Sequence, residues 1–321
     1  MHDYRMTGRK ETDECLKLAN KAHSYYFEDP LRYKLEFAKA AKEFFESIER
    51  KFCSRTKKSE LDDALEQLYE GNKSKIQYIS TELKAVKKRL DIIIKNPGLI
   101  DKKTKFVLDY TARFIEIILP YACGDIKEEV ENNRKFNFKN IVENEFVFFN
   151  KPDSKNVDND YLNAFYENSW RVQVNLNSFN FIKDHLNMND SAVSNFYRRY
   201  GGIDTFSSLI FARMANEQFM KYLSLKYDSF WKNLGPCLPK SYSEEKKDKI
   251  ISTKDVEDQR ILMPSRIWAL GKAGVLNELI VSEVLLVNTR GNNIAHYGSS
   301  GIYSSCYHNL EILNYLNRYC K

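Results

Sequence analysis

Residues 264–298 have the sequence PSRIWALGKAGVLNELIVSEVLLVNTRGNNIAHYG. Two glycines, Gly271 and Gly274, mark a turn between a first helical segment and a second one that is strongly apolar over residues 277–288. Polar residues follow the apolar run as far as residue 298. The pattern predicts two helices joined by a tight turn, with polar side chains at the end of a buried helix.

The segments around this stretch also have helical spacing. Upstream, apolar residues recur at intervals of three and four from residue 204 to residue 225, and Pro236 ends that run. The charged residues 241–248 predict a loop, and a helix that begins near residue 253 is broken or kinked at Pro264. Another amphipathic helix follows the polar segment. Together these segments give four or five helices in about 120 residues, which predicts a compact antiparallel bundle.

The N-terminal part of the chain is also predicted to be helical. Two helices are expected between residues 11 and 52, the second opened by Pro30, where a missing N–H costs nothing. Further helices are expected at residues 61–68, 74–95 and 101–121. Glycine and proline, 12 and 7 in 321 residues, are too scarce for many tight turns. We expect a helical domain that senses a trigger, restrains the rest of the chain or supports dimerisation.

A polar, turn-rich segment over residues 150–156 separates the two predicted domains. The first domain comprises residues 1–150 and the second residues 156–321. Near this boundary, residues 171–177 alternate polar and apolar side chains at a period of two. Such alternation is typical of a strand, and a helix beginning or ending there is the alternative. The predicted fold class is mainly α, with minor β in the middle left open.

Charge, cysteine spacing and hydropathy restrict the class of protein. The 50 basic and 44 acidic side chains give a formal charge of +6, which is compatible with a polyanionic partner without identifying one. The six cysteines include no C-x-x-C pair, which argues against a zinc ribbon or a thioredoxin-like centre. No signal peptide or membrane-length apolar run is present in the sequence. We therefore expect a cytoplasmic protein with no cofactor, no metal and no membrane partner.

Arg290 and His296 are the residues of the opening stretch that can carry chemistry. A histidine can take the proton of a ribose 2′-hydroxyl or give one to the leaving oxygen. An arginine stays charged and donates to two phosphate oxygens, which stabilises the transition state of RNA cleavage. Asn292 and Asn293 are candidates to orient either group. In an unbroken helix a six-residue separation is about 240° of rotation, so convergence of the pair requires a bend near Gly291.

The order of these segments resembles the closing half of a HEPN domain (higher eukaryotes and prokaryotes nucleotide-binding). In that superfamily a helix, a glycine-containing turn and an apolar helix lead into an arginine, a polar residue and a histidine. Residues 293–298 are similar to the pattern found there, and residues 209–219 are similar to its opening helix. The resemblance covers about residues 190–321 and departs from the family at Gly291, where Asn, Asp or His usually follows the arginine.

The resemblance implies a four-helix bundle that forms a homodimer and cleaves RNA without a metal. Arg290 would bind the scissile phosphate, and His296 would act as general acid and base. Members of the family often act as toxins or effectors in antiviral defence and abortive infection. An RNA substrate and a regulatory partner or antitoxin are therefore expected.

Other residues are candidate contacts for RNA. Tyr297 follows the histidine, and an aromatic and basic run over residues 196–200 supplies three more, namely Tyr197, Arg198 and Arg199. The alternative for that run is a packed helix end with surface arginines. His308 either joins the site or lies on the surface of the last helix.

A second class of function remains open, namely a non-catalytic helical scaffold or a nucleotide- or RNA-binding module of the same fold. The geometry of the arginine and the histidine distinguishes the two classes. Convergence of Arg290 and His296 on an open cleft favours an enzyme. Burial of these side chains against apolar neighbours favours a scaffold.

Overall fold

The structure is a computed structural model that describes residues 10–25, 28–52, 73–100, 106–123, 148–151, 159–186, 205–297 and 303–320. Within these ranges it contains eleven α-helices and no β-strand, which confirms the predicted mainly α fold class. No helix in the same ranges has both the length and the apolar character needed to cross a membrane.

The chain divides into two compact units. The N-terminal unit comprises residues 1–145 and 299–308, and the C-terminal unit comprises residues 146–298 and 309–321. The sequence-based boundary at 150–156 is close to the first division, but it assigns residues 299–308 to the second domain. These ten residues group with the N-terminal unit instead.

Four helices of the N-terminal unit are α1 (Lys10–His23), α2 (Pro30–Phe52), α3 (Lys73–Lys95) and α4 (Phe106–Cys123). Helix α2 begins at Pro30 as predicted, and the side chain of Asp29 accepts a hydrogen bond from the backbone N–H of Arg32 at 3.0 Å. Helix α2 packs against the other three helices. Its apolar stripe is therefore buried, as its spacing predicts: Phe37, Ala40, Ala41, Phe44, Phe45 and Ile48.

The C-terminal unit contains α5 (Asp160–Leu186), α6 (Thr205–Lys226), α7 (Asp228–Leu234), α8 (Glu244–Thr253), α9 (Met263–Lys272) and α10 (Glu278–Tyr297). Helix α6 packs against α5 and α10, and α9 packs against α7 and α10. Helix α10 is deeply buried over most of its length, because every position from Leu279 to Val284 and from Leu286 to Asn288 is closed to solvent. The last helix, α11 (Tyr303–Asn317), contributes its first residues to the N-terminal unit and the remainder to the C-terminal unit.

Residues 171–177 belong to α5, so the strand alternative is wrong for this segment. Val172 and Leu176 are buried, and so are the polar residues Gln173 and Asn175. Burial on more than one side of α5 removes the apolar periodicity that normally identifies a helix. The Gln173 side chain accepts hydrogen bonds from the backbone N–H groups of residues 148 and 149 and donates one to the carbonyl of residue 149.

Two predictions about residues 241–264 are also wrong. The charged run is not a loop, because α8 begins at Glu244 and Ser243 caps it by accepting a hydrogen bond from Lys246 N at 3.3 Å. The helix expected from about residue 253, broken or kinked at Pro264, is absent, because α8 ends at Thr253 and a separate helix begins at Met263 with the proline in its first turn. The first helix is rich in charged residues, a composition that is also typical of a loop. In the second helix the proline lies in the first turn and marks the start of the helix.

A group of polar side chains is buried inside the N-terminal unit. Tyr110 on α4 donates its hydroxyl hydrogen to the carboxylate of Glu82 on α3. The Tyr110 ring stacks on the imidazole of His308, with centroids 4.2 Å apart and planes inclined by 12°, and the guanidinium of Arg89 lies 5.5 Å from the same ring centroid. His308 is 0% exposed, so its predicted surface position is wrong. Its pattern of neighbours along α11 gave no sign of this burial, because Tyr110 is almost 200 residues away in sequence.

Candidate functional site

Helix α10 carries both candidate catalytic residues on one continuous element. It runs from Glu278 to Tyr297 without interruption, so the bend predicted near Gly291 is absent. Six residues of α-helix correspond to about 240° of rotation and about 9 Å of rise. The side chains of Arg290 and His296 therefore leave the helix in different directions, and the structure does not bring them together within one copy of the chain.

Arg290 points into the protein. Its side chain is 1% exposed, and its Nη1 donates a hydrogen bond of 2.5 Å to Oδ1 of Asn309 on α11. This bond joins α10 to α11 inside the C-terminal unit. A guanidinium held in this way is closed to solvent, so the predicted contact between Arg290 and the scissile phosphate is not available in this structure. Arg290 acts here as a structural cation.

His296 points out of the protein. The solvent-facing side of α10 follows a spacing of four, three and four residues, and we name it the α10 stripe: Leu285, Thr289, Asn292 and His296. The first three residues are half-buried, and His296 is exposed. The amides of Asn292 and its neighbour Asn293 make no side-chain hydrogen bond within the described part of the chain. The stripe and the neighbouring Asn293 thus place an imidazole and two half-buried amides at the end of a buried helix.

Gly291 is required by the close approach of α6. A Cβ atom built on Gly291 would lie 2.4, 2.6 and 2.9 Å from Cβ, Cδ and Cγ of Arg213. No side chain fits this space without displacement of α6, so the glycine at this position has a packing cause. The same seam between α6 and α10 is held by a hydrogen bond of 3.1 Å from Nδ2 of Asn216 to the carbonyl oxygen of Val284.

Arg213 is a residue that the sequence did not single out. It lies within the run 209–219, but its helical spacing does not distinguish it from other surface arginines. Its side chain is half-buried, and its Nε is buried with no hydrogen-bond partner in the ranges that the structure describes. The contact with Gly291 places it beside the candidate segment, and only the folded arrangement reveals that contact.

The predicted turn before α10 is confirmed at Gly274, whereas Gly271 lies in the last turn of α9. A Cβ atom on Gly271 would lie 2.7 Å from Cγ2 of Val281, so this glycine lets α9 approach α10 closely. Gly274 adopts φ +72°, a backbone conformation that favours glycine. Gly271 thus permits the short distance between α9 and α10, and Gly274 permits the turn that connects them.

Arg266 fixes α9 to its neighbours. It is 2% exposed and donates from Nη2 to the carbonyl oxygen of Val256 at 2.6 Å. Burial lowers the pKa of the Arg266 guanidinium, and the negative charges of Glu217 and Glu257 act in the opposite direction. This arginine supports the fold and is closed to a substrate.

Several predicted residues lie outside what the structure describes. Tyr197, Arg198 and Arg199 fall between the described ranges, and Tyr297 ends α10 with a side chain that is also outside them. Across the ranges that are described, no group of three or more His, Cys, Asp or Glu side chains is placed to hold a metal ion.

The chain matches no family model, no curated protein and no solved structure. The resemblance to HEPN domains therefore rests on residues 190–321 of the sequence alone.

Replacing Gly291 by alanine is expected to destabilise the protein by about 1–3 kcal/mol, because the added methyl group overpacks the seam between α6 and α10. Urea unfolding followed by circular dichroism measures the effect. Gly98→Ala is the matched control, because no atom lies within 4 Å of the added Cβ there. Equal unfolding midpoints for the two variants would contradict the packing role of Gly291.

Proposed function

We propose that the chain is a metal-independent endoribonuclease of the HEPN type in which His296 is the general acid and base. The observation that carries the proposal is the exposed position of His296 at the end of the α10 stripe. An imidazole in this position can reach a ribose 2′-hydroxyl and exchange its proton with water. The half-buried amides of Asn292 and Asn293 stand beside it with hydrogen-bonding capacity to spare.

The proposed reaction is an internal transfer of the phosphoryl group. His296 removes the proton of the 2′-hydroxyl, the 2′-oxygen attacks the adjacent phosphorus, and the bond from phosphorus to the 5′-oxygen breaks. A proton from an imidazolium then passes to the 5′-oxygen that leaves. The products are a 2′,3′-cyclic phosphate and a free 5′-hydroxyl. Side chains supply both proton transfers.

Arg290 has a positioning role in this proposal. The sequence assigned it to the scissile phosphate, whereas its guanidinium is buried and donates to Asn309. By holding α10 against α11 it fixes the face of α10 that meets solvent. This departs from the role that the family resemblance implies.

A non-catalytic scaffold or RNA-binding module is the second candidate function. The burial of Arg290 against Asn309 favours it, because the two members of the expected catalytic pair do not converge. In that case the α10 stripe would serve as a binding surface, and the imidazole of His296 would have no part in any reaction.

The proposal extends to a biological role through the family resemblance. Metal-independent ribonucleases of this kind serve as toxins or effectors in antiviral defence and abortive infection. We place the activity in the cytoplasm, where RNA is available, and expect a regulatory partner or an antitoxin to restrain it. The N-terminal unit is our candidate for the part that receives the trigger.

His296→Ala is expected to lower the rate of RNA cleavage by at least about 10²-fold, because it removes the acid and base. The measurement incubates purified protein with mixed cellular RNA in EDTA and maps the fragment ends. The matched control is His185→Ala, which removes a histidine on α5. Full cleavage by His296→Ala protein would sink the proposal, and absence of cleavage by all three proteins would support the scaffold.

We also propose that the active form is a homodimer in which two copies contact each other through the α10 stripe. Leu285 is the apolar member of that stripe, so Leu285→Glu is expected to convert a dimer into a monomer. Light scattering of the purified proteins measures the mass. The matched control is Leu225→Glu, at a leucine of α6 that is 50% exposed. A wild-type protein that is monomeric at high concentration would refute the dimer.

A further inference from the structure

Arg213, near the candidate site, has no ion-pair partner among the residues that the structure describes. Arg213 on α6 is half-buried, forms no salt bridge, and has a buried Nε without an acceptor in the described ranges. Three other buried or half-buried arginines of the C-terminal unit do have acceptors: Arg260 at Asp258, Arg266 at Val256 and Arg290 at Asn309. The positive charge of Arg213 has no such partner within the described ranges, and an anionic ligand would supply one.

The stem of Arg213 is held in place by the candidate segment itself. Its Cβ, Cγ and Cδ atoms all lie within 3.0 Å of the position that a Cβ of Gly291 would occupy. The side chain therefore lies flat against the backbone of α10. A guanidinium with a fixed stem loses less freedom on binding than one on an exposed, mobile side chain.

The ligand that fits this guanidinium is a phosphate group. The two Nη groups of arginine form a planar fork that donates two parallel hydrogen bonds to a pair of phosphate oxygens, and in Arg213 only Nε is closed to solvent without a partner. Arg290 cannot supply this contact, because it is buried and already bonded to Asn309. A site that handles RNA therefore needs a cation from another element.

The position of Gly291 on α10 indicates which phosphate Arg213 reaches. Gly291 precedes His296 by five residues, which is about 7.5 Å along the helix axis and about 140° around it. A guanidinium beside Gly291 and an imidazole at residue 296 therefore do not face one and the same phosphate. The Arg213 guanidinium is therefore placed to bind a phosphate that flanks the scissile phosphate along the RNA strand.

We infer that Arg213 is a phosphate-binding residue of this site, and that it holds a backbone phosphate of RNA next to the one at His296. The inference deepens the proposed function and rests on it for the identity of the anion. A contact to a flanking phosphate is made in the bound substrate and in the transition state alike. Its loss therefore raises KM and leaves kcat nearly unchanged.

The test uses Arg213→Gln, because glutamine keeps the three stem atoms that pack on Gly291 and removes the charge and the fork. Arg213→Lys keeps the charge but loses Nε. The matched control is Arg171→Gln, which removes an exposed arginine of α5 that is paired with Glu167 at 2.5 Å. Each of the three substitutions is made twice in the full chain, once with His296 intact and once together with His296→Ala. The proteins that carry His296→Ala leave the RNA intact during the binding measurements.

A fluorescent single-stranded RNA oligonucleotide of mixed sequence is titrated in EDTA at several salt concentrations, and its anisotropy gives Kd. Arg213→Gln is expected to raise Kd about tenfold and to reduce the slope of log K against log salt by about one, as for one lost phosphate contact. Arg213→Lys is expected to lie between, and Arg171→Gln to change Kd less than about twofold. Unchanged Kd and slope for Arg213→Gln would overturn the inference, as would a parent protein that binds no RNA.

The result separates this inference from the proposed function. If the chain with His296 intact does not cleave RNA but Arg213→Gln still weakens binding, the phosphate site stands and the nuclease falls. If that chain cleaves RNA and Arg213→Gln alters neither Kd nor KM, the nuclease stands and the assignment of Arg213 falls.

Discussion

The hydrogen bond from Arg290 to Asn309 sets the rotational position of α10 about its axis. A buried guanidinium is tolerated only where it is well hydrogen-bonded, so this side chain must face α11. On a continuous helix the residue six positions later lies about 240° further round the axis, and at His296 that direction opens onto solvent. Burial of Arg290 and exposure of His296 are thus two consequences of one helical phase. The polar stripe that could meet a substrate is fixed by a bond on the other side of the helix.

The two glycines at 271 and 291 have related packing roles on α10. Each lacks a side chain where a neighbouring helix approaches: α9 through Val281 at the first, and α6 through Arg213 at the second. The second approach explains why a glycine follows Arg290. It also brings another guanidinium to the segment. The cation expected from the sequence is withdrawn into the core, and a cation from α6 lies at the surface of the same helix.

The sequence predicted those features that depend on local patterning. The apolar stripe of α2, the start of that helix at Pro30 and the glycine turn before α10 follow from helical spacing and backbone preferences. Local patterning failed where burial is not one-sided. The segment 171–177 of α5 buries polar and apolar residues together. Helix α8 was predicted to be a loop because its first half is mostly charged.

The environment of the candidate residues depends on contacts between distant parts of the chain. Asn309 accepts from Arg290 across 19 positions, Arg213 meets Gly291 from another helix, and Tyr110 covers His308. A sequence pattern identifies an arginine and a histidine that are capable of the chemistry. It does not show which of them is turned inward, because the partner that decides this is remote in sequence.

The most direct measurement replaces the buried pair together, in the variant Arg290→Met/Asn309→Leu, and compares its RNA cleavage in EDTA with that of the wild type. Apolar side chains of similar size often substitute for a buried polar pair without loss of the fold, and circular dichroism verifies that the variant is folded. If Arg290 is a structural cation, the two apolar side chains pack between α10 and α11 and keep the same face of α10 turned inward. The folded variant then keeps cleavage within about threefold of the wild type, which corresponds to a change of under about 1 kcal/mol. A folded variant that has lost cleavage as completely as His296→Ala would contradict the account and return Arg290 to the scissile phosphate.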